Sequence, residues 1–274
     1  MIPTLSRYDA CIIDLWGVVH DGTALYPHAL ASLEQLRALG KRIVLLSNAP
    51  RQATKAKEVL DRLGVPPSLY DLLLTSGQAA HDELKADTSW LGTHYYYLGP
   101  GKDEDILADL PSYRRVSDPA AAHFVLNTGF EVDFQPEEEI RPTLARLLDA
   151  RLPLLCVNPD FEVVKLDGTQ MLCAGVVARM YEAMGGTVHR IGKPYPLVYE
   201  KVLAFLGLAP SRLLAIGDGP ATDILGANRA GIDAALITGG ILSVMYPGLD
   251  EAKARQVCGE FGATPRYILP MFAF

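Results

Sequence analysis

The chain has little of what marks secreted, membrane or nucleic-acid-binding proteins. Only four of its 274 residues are cysteines, and no two of them form a Cys-x-x-Cys pair. No uncharged apolar run approaches the roughly 20 residues that a helix needs to cross a bilayer. The formal net charge is −7, without a basic stripe for nucleic acid. We therefore expect a cytoplasmic protein with reduced thiols that binds neither a membrane nor a nucleic acid.

Short apolar runs alternate with helical patterns along nearly the whole chain. Arg42–Leu46 and Leu213–Ile216 have the length and composition of buried strands. Ala174–Met184 has the length and apolar content of a helix, as do several segments between the strand-like runs. This alternation is typical of βαβ units around a parallel sheet. The sequence therefore predicts an α/β fold with a Rossmann-like parallel sheet.

Two breaks divide the chain. A polar stretch at Lys85–Ser89 and the pair Gly185-Gly186 bracket a segment with three predicted strands of its own. We interpret residues 86–187 as a second α/β domain inserted into the first. Residues 1–85 together with 188–274 would then form the outer, core domain.

Acidic residues follow two of the predicted strands. Asp14 ends the run Ala10–Ile13, and Asp218 follows Leu213–Ile216, with Asp223 just beyond. The carboxyl ends of parallel strands meet at one edge of a sheet, so these side chains should converge. Carboxylates are ligands for hard cations, and an aspartate can also act as a nucleophile. The pattern predicts a Mg²⁺ site in which Asp14 is placed to attack phosphorus.

Two further segments fit a phosphate site. Ser47 follows the second predicted strand at a helix entrance, where a hydroxyl and backbone N–H groups suit a phosphate oxygen. Its neighbour Asn48 is assigned to the same role, and Lys193 would supply the balancing positive charge. Each residue alone is better explained as a helix cap, a turn residue or a solvated loop residue. Their common order and position at strand ends favour one phosphoryl-transfer site.

These segments resemble the four motifs of the haloacid dehalogenase (HAD) superfamily, and the resemblance covers nearly the whole chain. The inserted segment is similar to the α/β cap of subclass IIA, the NagD-like and p-nitrophenyl phosphatases. Asn158-Pro159-Asp160, with Gly175 downstream, is also similar to that cap. Members of this family are mostly Mg²⁺-dependent phosphomonoesterases, and the resemblance implies the same class here.

The resemblance also implies a role for each matching residue. The nucleophile would be Asp14, assisted by Lys193, and phosphate would be held by Ser47, Asn48 and Lys193. The metal ligands would be Asp14, the backbone carbonyl of Trp16, Asp218 and Asp223. Cap residues Asn158 and Asp160 are the candidates for substrate recognition.

Trp16 departs from the family pattern. Phosphatases of the family carry a second aspartate at this position, which acts as general acid toward the leaving oxygen. An indole cannot exchange a proton usefully at neutral pH, so that acid is missing. Three explanations are open. His20 or Asp21 supplies the proton to the leaving oxygen, or the substrate has a leaving group that needs no proton. In the third explanation the protein binds a phosphorylated ligand and hydrolyses little of it. We expect the tryptophan ring to line the substrate cavity.

The sequence therefore favours a phosphatase that acts on a small phosphorylated metabolite, such as a sugar phosphate, through an aspartyl-phosphate on Asp14. The alternative is a phospho-ligand binding or regulatory protein with little turnover, because Trp16 stands where the general acid is expected. The cap also allows a homodimer.

Overall fold

The computed structural model describes residues 5–132, 136–164 and 169–273. Its strands are β1 Ala10–Ile13, β2 Arg42–Ser47, β3 Leu72–Thr75, β4 His94–Leu98, β5 Arg114–Val116, β6 Phe124–Asn127, β7 Leu154–Cys156, β8 Glu162–Val164, β9 Gln170–Leu172, β10 Val188–Arg190, β11 Leu213–Gly217, β12 Asp233–Ile237 and β13 Tyr267–Leu269. Its α-helices are α1 Ala29–Ala38, α2 Ala53–Arg62, α3 Ser76–Ala86, α4 Glu137–Asp149, α5 Ala174–Ala183, α6 Pro196–Leu206, α7 Leu225–Arg229, α8 Ile241–Met245 and α9 Glu251–Glu260. The α/β class with parallel sheets is confirmed.

The first sheet carries the strands that hold the predicted site. It has six parallel strands in the order β13-β12-β11-β1-β2-β3. Strand β1 lies between β11 and β2, with Ile13 beside Ile216 on one side and Leu45 on the other. Because the strands are parallel, the residues that follow β1, β2 and β11 emerge at the same edge.

Both faces of this sheet are buried, which explains its continuous apolar runs. Ala10 and Ile12 of β1 face one hydrophobic cluster, whereas Cys11 and Ile13 face another. Successive side chains of a strand point to opposite faces, so a sheet covered by helices on both sides needs apolar residues at every position.

The second sheet has five parallel strands in the order β10-β7-β6-β4-β5, and β8 and β9 form a separate antiparallel pair. Strand β10 pairs with β7, with Val188 beside Leu154. Residues 188–190, expected in the core domain, therefore pair with the second sheet. One hydrophobic cluster also continues from the first sheet to Tyr95 and Phe124 of the second. The two-domain division stays a prediction, and we propose it with its second edge moved past Arg190.

Local sequence explains the bounds of helix α6. Pro196 occupies its first turn, where the missing N–H has no partner within the helix anyway. Gly207 ends it in the left-handed conformation, and its N–H donates to the carbonyl of Leu203. Within the described ranges, every helix is too short or too polar to span a lipid bilayer.

Candidate active site

Three carboxylates meet at the carboxyl edge of the first sheet. Asp14 follows β1, Asp218 follows β11, and Asp223 lies in a π-helical turn over Pro220–Ile224. All three are buried, with exposed fractions of 6–7%. One ligand oxygen from each lies within 4.8 Å of the others. The predicted convergence of the three acids is therefore present.

Lys193 reaches into this cluster from the loop after β10. Its side-chain Nζ donates to Oδ1 of Asp14 at 2.5 Å and to Oδ1 of Asp223 at 2.6 Å. The lysine is itself only 4% exposed. Burial alone would lower the pKa of the Lys193 ammonium, but the Asp14 and Asp223 carboxylates raise it well above its ordinary value. Lys193 is therefore charged and acts as the counter-ion of the cluster.

The carboxylates carry more negative charge than one lysine balances. Burial, together with the neighbouring acids, raises the pKa of Asp14 well above its ordinary range, although Lys193 opposes the shift. Burial and the charge of Asp223 raise the pKa of Asp218 to about 7. Buried oxygen ligands whose ionised forms need more positive charge than Lys193 supplies fit a divalent hard cation such as Mg²⁺.

Backbone donors fix the orientation of the two clustered carboxylates that follow β11. Oδ2 of Asp218 accepts a hydrogen bond from the N–H of Ile241, at the start of α8, at 2.8 Å. Oδ2 of Asp223 accepts one from the N–H of Gly219 at 3.0 Å. Since one oxygen of each group is held by the backbone, the rest of the carboxylate has a defined direction toward Asp14.

Ser47 and Asn48 lie at the end of β2, beside the cluster. The Asn48 side chain connects two loops: its Oδ1 accepts from the Lys193 N–H at 2.7 Å, and its Nδ2 donates to the Lys193 carbonyl at 3.0 Å. The same Nδ2 donates to Oδ1 of Asp160 at 2.8 Å. Asn48 therefore holds the lysine loop in place, a role that its sequence position did not reveal, and its phosphate-binding role stays a prediction.

Asp160 and Asn158 lie on the loop that follows β7 and face the same cavity as Ser47. Burial raises the pKa of Asp160 to about 6, partly opposed by Lys193 and by the hydrogen bond from Asn48. The loop packs on the first turn of α5, where the N–H of Gly175 donates to the Asp160 carbonyl at 3.0 Å. The loop after β7 thus brings a carboxylate against Asn48 at the end of β2.

Replacing Gly175 by Ala should destabilise the protein, because the added Cβ would lie about 2.5 Å from the Asp160 carbonyl oxygen, which is a backbone atom. Overpacking of this kind costs about 1–3 kcal/mol. We expect a decrease of several degrees in the midpoint of thermal unfolding. Gly259→Ala in α9 is the matched control, because its Cβ meets nothing within 4 Å and alanine favours a helix. Equal shifts in both variants would contradict this packing argument.

The two residues considered as replacement acids are engaged in their own turn. Nδ1 of His20 accepts from the N–H of Gly22 at 2.9 Å, and burial lowers the pKa of His20 to about 4. Oδ1 of Asp21 accepts from the N–H and the hydroxyl of Thr23. His20 is therefore neutral near pH 7, and the Asp21 carboxylate shapes the loop that follows Trp16.

A cavity of about 380 Å³ opens beside the cluster, between the first sheet and the inserted segment. Trp16 lines it, as do Ser47, Asn48 and Asp160, so the expectation for the tryptophan is met. Part of the apolar wall comes from strands β8 and β9, and the sequence did not indicate these residues. Strands of three residues are too short to show periodicity, so no sequence signal could have identified them.

A second feature of the cavity is an ion pair whose acidic member the sequence did not indicate. Arg51 and Asp103 line the cavity and form this ion pair, with Nη2 of Arg51 3.0 Å from Oδ1 of Asp103. Burial raises the pKa of Asp103, although Arg51 opposes the shift. Asp103 lies in a short 3₁₀ turn within a polar stretch, where nothing in the sequence distinguishes it from a surface acid.

Comparisons with known proteins agree with this geometry. A family model described as haloacid dehalogenase-like hydrolase matches residues 11–110, and one described as HAD-hydrolase-like matches residues 190–262. Human chronophin is 26% identical over 281 residues, which cover 98% of this chain and 92% of the human protein. The sugar-phosphatase AraL of Bacillus subtilis is 27% identical and covers 84% of this chain and 82% of its own.

Solved structures give the same result. A haloacid dehalogenase-like hydrolase from Brucella suis is 33% identical and superimposes with a TM-score of 0.83, over 98% of this chain and 97% of that one. A 4-nitrophenylphosphatase from Thermotoga maritima is 23% identical, with a TM-score of 0.74 over 98% of this chain and 96% of that chain. At that lower identity the second comparison supports the fold alone.

Proposed function

The chain belongs to the haloacid dehalogenase-like hydrolase family, and from that premise we propose that it is a Mg²⁺-dependent phosphatase of a small phosphorylated metabolite. One observation carries the proposal. Lys193 contacts both Asp14 and Asp223 within a buried group of three carboxylates, beside a cavity lined by Ser47 and Asn48. The similarity to the sugar-phosphatase AraL supports a phosphoric monoester as the substrate.

The proposed reaction has two displacements at phosphorus. In the first, a carboxylate oxygen of Asp14 forms a bond to phosphorus, and the bond to the leaving oxygen breaks. In the second, water attacks phosphorus, the bond to Asp14 breaks, and inorganic phosphate leaves with the carboxylate restored. Lys193 balances the charge of the nucleophile and of the transferring group throughout.

Mg²⁺ bound by Asp14, Asp218 and Asp223 would supply positive charge to the phosphate oxygens. The carbonyl of Trp16 is proposed as a further ligand. Since burial raises the pKa of Asp14, added positive charge beside it favours the ionised form that a nucleophile needs. Ser47 would donate to a phosphate oxygen, and Asn158 and Asp160 would contact the rest of the substrate.

The test is phosphate release from p-nitrophenyl phosphate and a panel of sugar and acyl phosphates. We expect release with Mg²⁺, loss of release in EDTA, and recovery when Mg²⁺ is returned. Equal release in EDTA would contradict the metal assignment. Measurable Mg²⁺ binding without release from any compound would favour the phospho-ligand binding alternative.

We also propose a cytoplasmic location. The four cysteines, Cys11, Cys156, Cys173 and Cys258, are all free and buried, which fits a reducing compartment. A homodimer formed through the inserted segment stays a prediction. Measuring the mass of the particle in solution tests it.

A further inference from the structure

A direct hydrogen bond joins the nucleophile loop to the inserted segment. The indole N–H of Trp16 donates to the backbone carbonyl of Val164 at 2.9 Å. Trp16 lies two residues after Asp14, and Val164 is the last residue of β8. The position where the family pattern has an acid is therefore occupied by a donor that reaches across the cavity.

The indole is held in this direction by its own loop. Gly22 has a φ of +90°, and a Cβ added to it would lie 2.7 Å from Cζ3 of Trp16, so only glycine leaves room for the ring. The His20 ring packs edge-on against the indole, with centroids 6.1 Å apart. These contacts lie within the loop that follows Asp14, so they hold the indole N–H in its direction without help from the hairpin.

The hairpin that receives this bond covers the cavity. Val163 of β8 and Met171 and Leu172 of β9 line the cavity wall. Strand β8 also packs against α8, whose first residue, Ile241, donates to Asp218. The hairpin thus contacts the loop that follows Asp14 and the helix that donates a hydrogen bond to Asp218.

We propose that Trp16 is a positioning residue that fastens the β8–β9 hairpin over the substrate cavity and so determines how firmly the substrate is enclosed. The role rests on the proposed phosphatase function. One hydrogen bond of this kind shifts the equilibrium between a docked and an undocked hairpin by roughly 3- to 10-fold.

The hydrogen bond can be tested by a measurement that does not depend on catalytic activity. The chain has two tryptophans, and Trp90 is 39% exposed, so Trp90→Phe leaves Trp16 as the only indole N–H signal in a ¹⁵N NMR spectrum. We expect that signal to exchange with water much more slowly than the Trp90 signal observed in Trp16→Phe. Equally fast exchange of the two signals would overturn the proposal.

Steady-state kinetics test whether the hydrogen bond affects how firmly the substrate is enclosed. Trp16→Phe keeps an aromatic ring and removes the donor, so KM for p-nitrophenyl phosphate should increase by roughly 3- to 10-fold with kcat unchanged. Gly22→Ala, which displaces the indole, should also increase KM. Trp90→Phe should change neither KM nor kcat. A lower kcat with unchanged KM in Trp16→Phe and Gly22→Ala would overturn the positioning role. If the wild-type protein releases no phosphate, the proposed function fails, and the NMR measurement alone decides the hydrogen bond.

Discussion

Asp14→Asn should reduce phosphate release by roughly 10⁴-fold or more, since an amide cannot form the proposed bond to phosphorus. The fold should survive the change. Lys193 keeps its contact with Asp223 at 2.6 Å, and one buried carboxylate is removed from a cluster of three. The measurement is release from p-nitrophenyl phosphate at saturating Mg²⁺, together with a thermal unfolding curve.

Asp9→Asn is the matched control for this substitution. Asp9 pairs with Arg212 at the surface, and such solvent-exposed pairs contribute little to stability. We expect its activity to equal that of the wild type. If Asp14→Asn retains metal-dependent release while remaining folded, another residue carries the attack and the assignment of Asp14 is wrong.

The sheet and its acids were accessible from sequence because each depends on a local signal. Asp14 and Asp218 directly follow apolar runs of strand length, and parallel strands bring their ends together whatever the rest of the chain does. Asp223 follows Asp218 by five residues, and a short turn is enough to bring it back. A local sequence pattern was therefore enough to identify the three carboxylates of the candidate site.

The contacts between the two sheets were not accessible in the same way. Trp16 and Val164 are 148 residues apart, and Asn48 and Lys193 are 145 apart. Such pairs depend on how the inserted segment packs, which no short-range periodicity encodes. The same holds for β10, because nothing local in its three residues indicates that they pair with β7.

Lys193→Met should abolish activity and also lower stability. Methionine fills nearly the same space, but the substitution leaves Asp14 and Asp223 buried without their counter-ion. Removing one partner of a buried ion pair costs about 3–5 kcal/mol. We therefore expect the midpoint of thermal unfolding without metal to decrease by on the order of 10 °C. Lys57→Met is the control, because Lys57 forms an exposed pair with Asp61.

Mg²⁺ distinguishes loss of the counter-ion from simple loss of packing. A cation bound by the three carboxylates replaces part of the missing positive charge, so Mg²⁺ should stabilise Lys193→Met more than it stabilises the wild type. Adding Asp14→Asn to Lys193→Met should recover part of the lost stability, since one unpaired buried carboxylate is then gone. If the two substitutions were additive and Mg²⁺ stabilised both proteins equally, Lys193 would not be balancing the charge of this cluster.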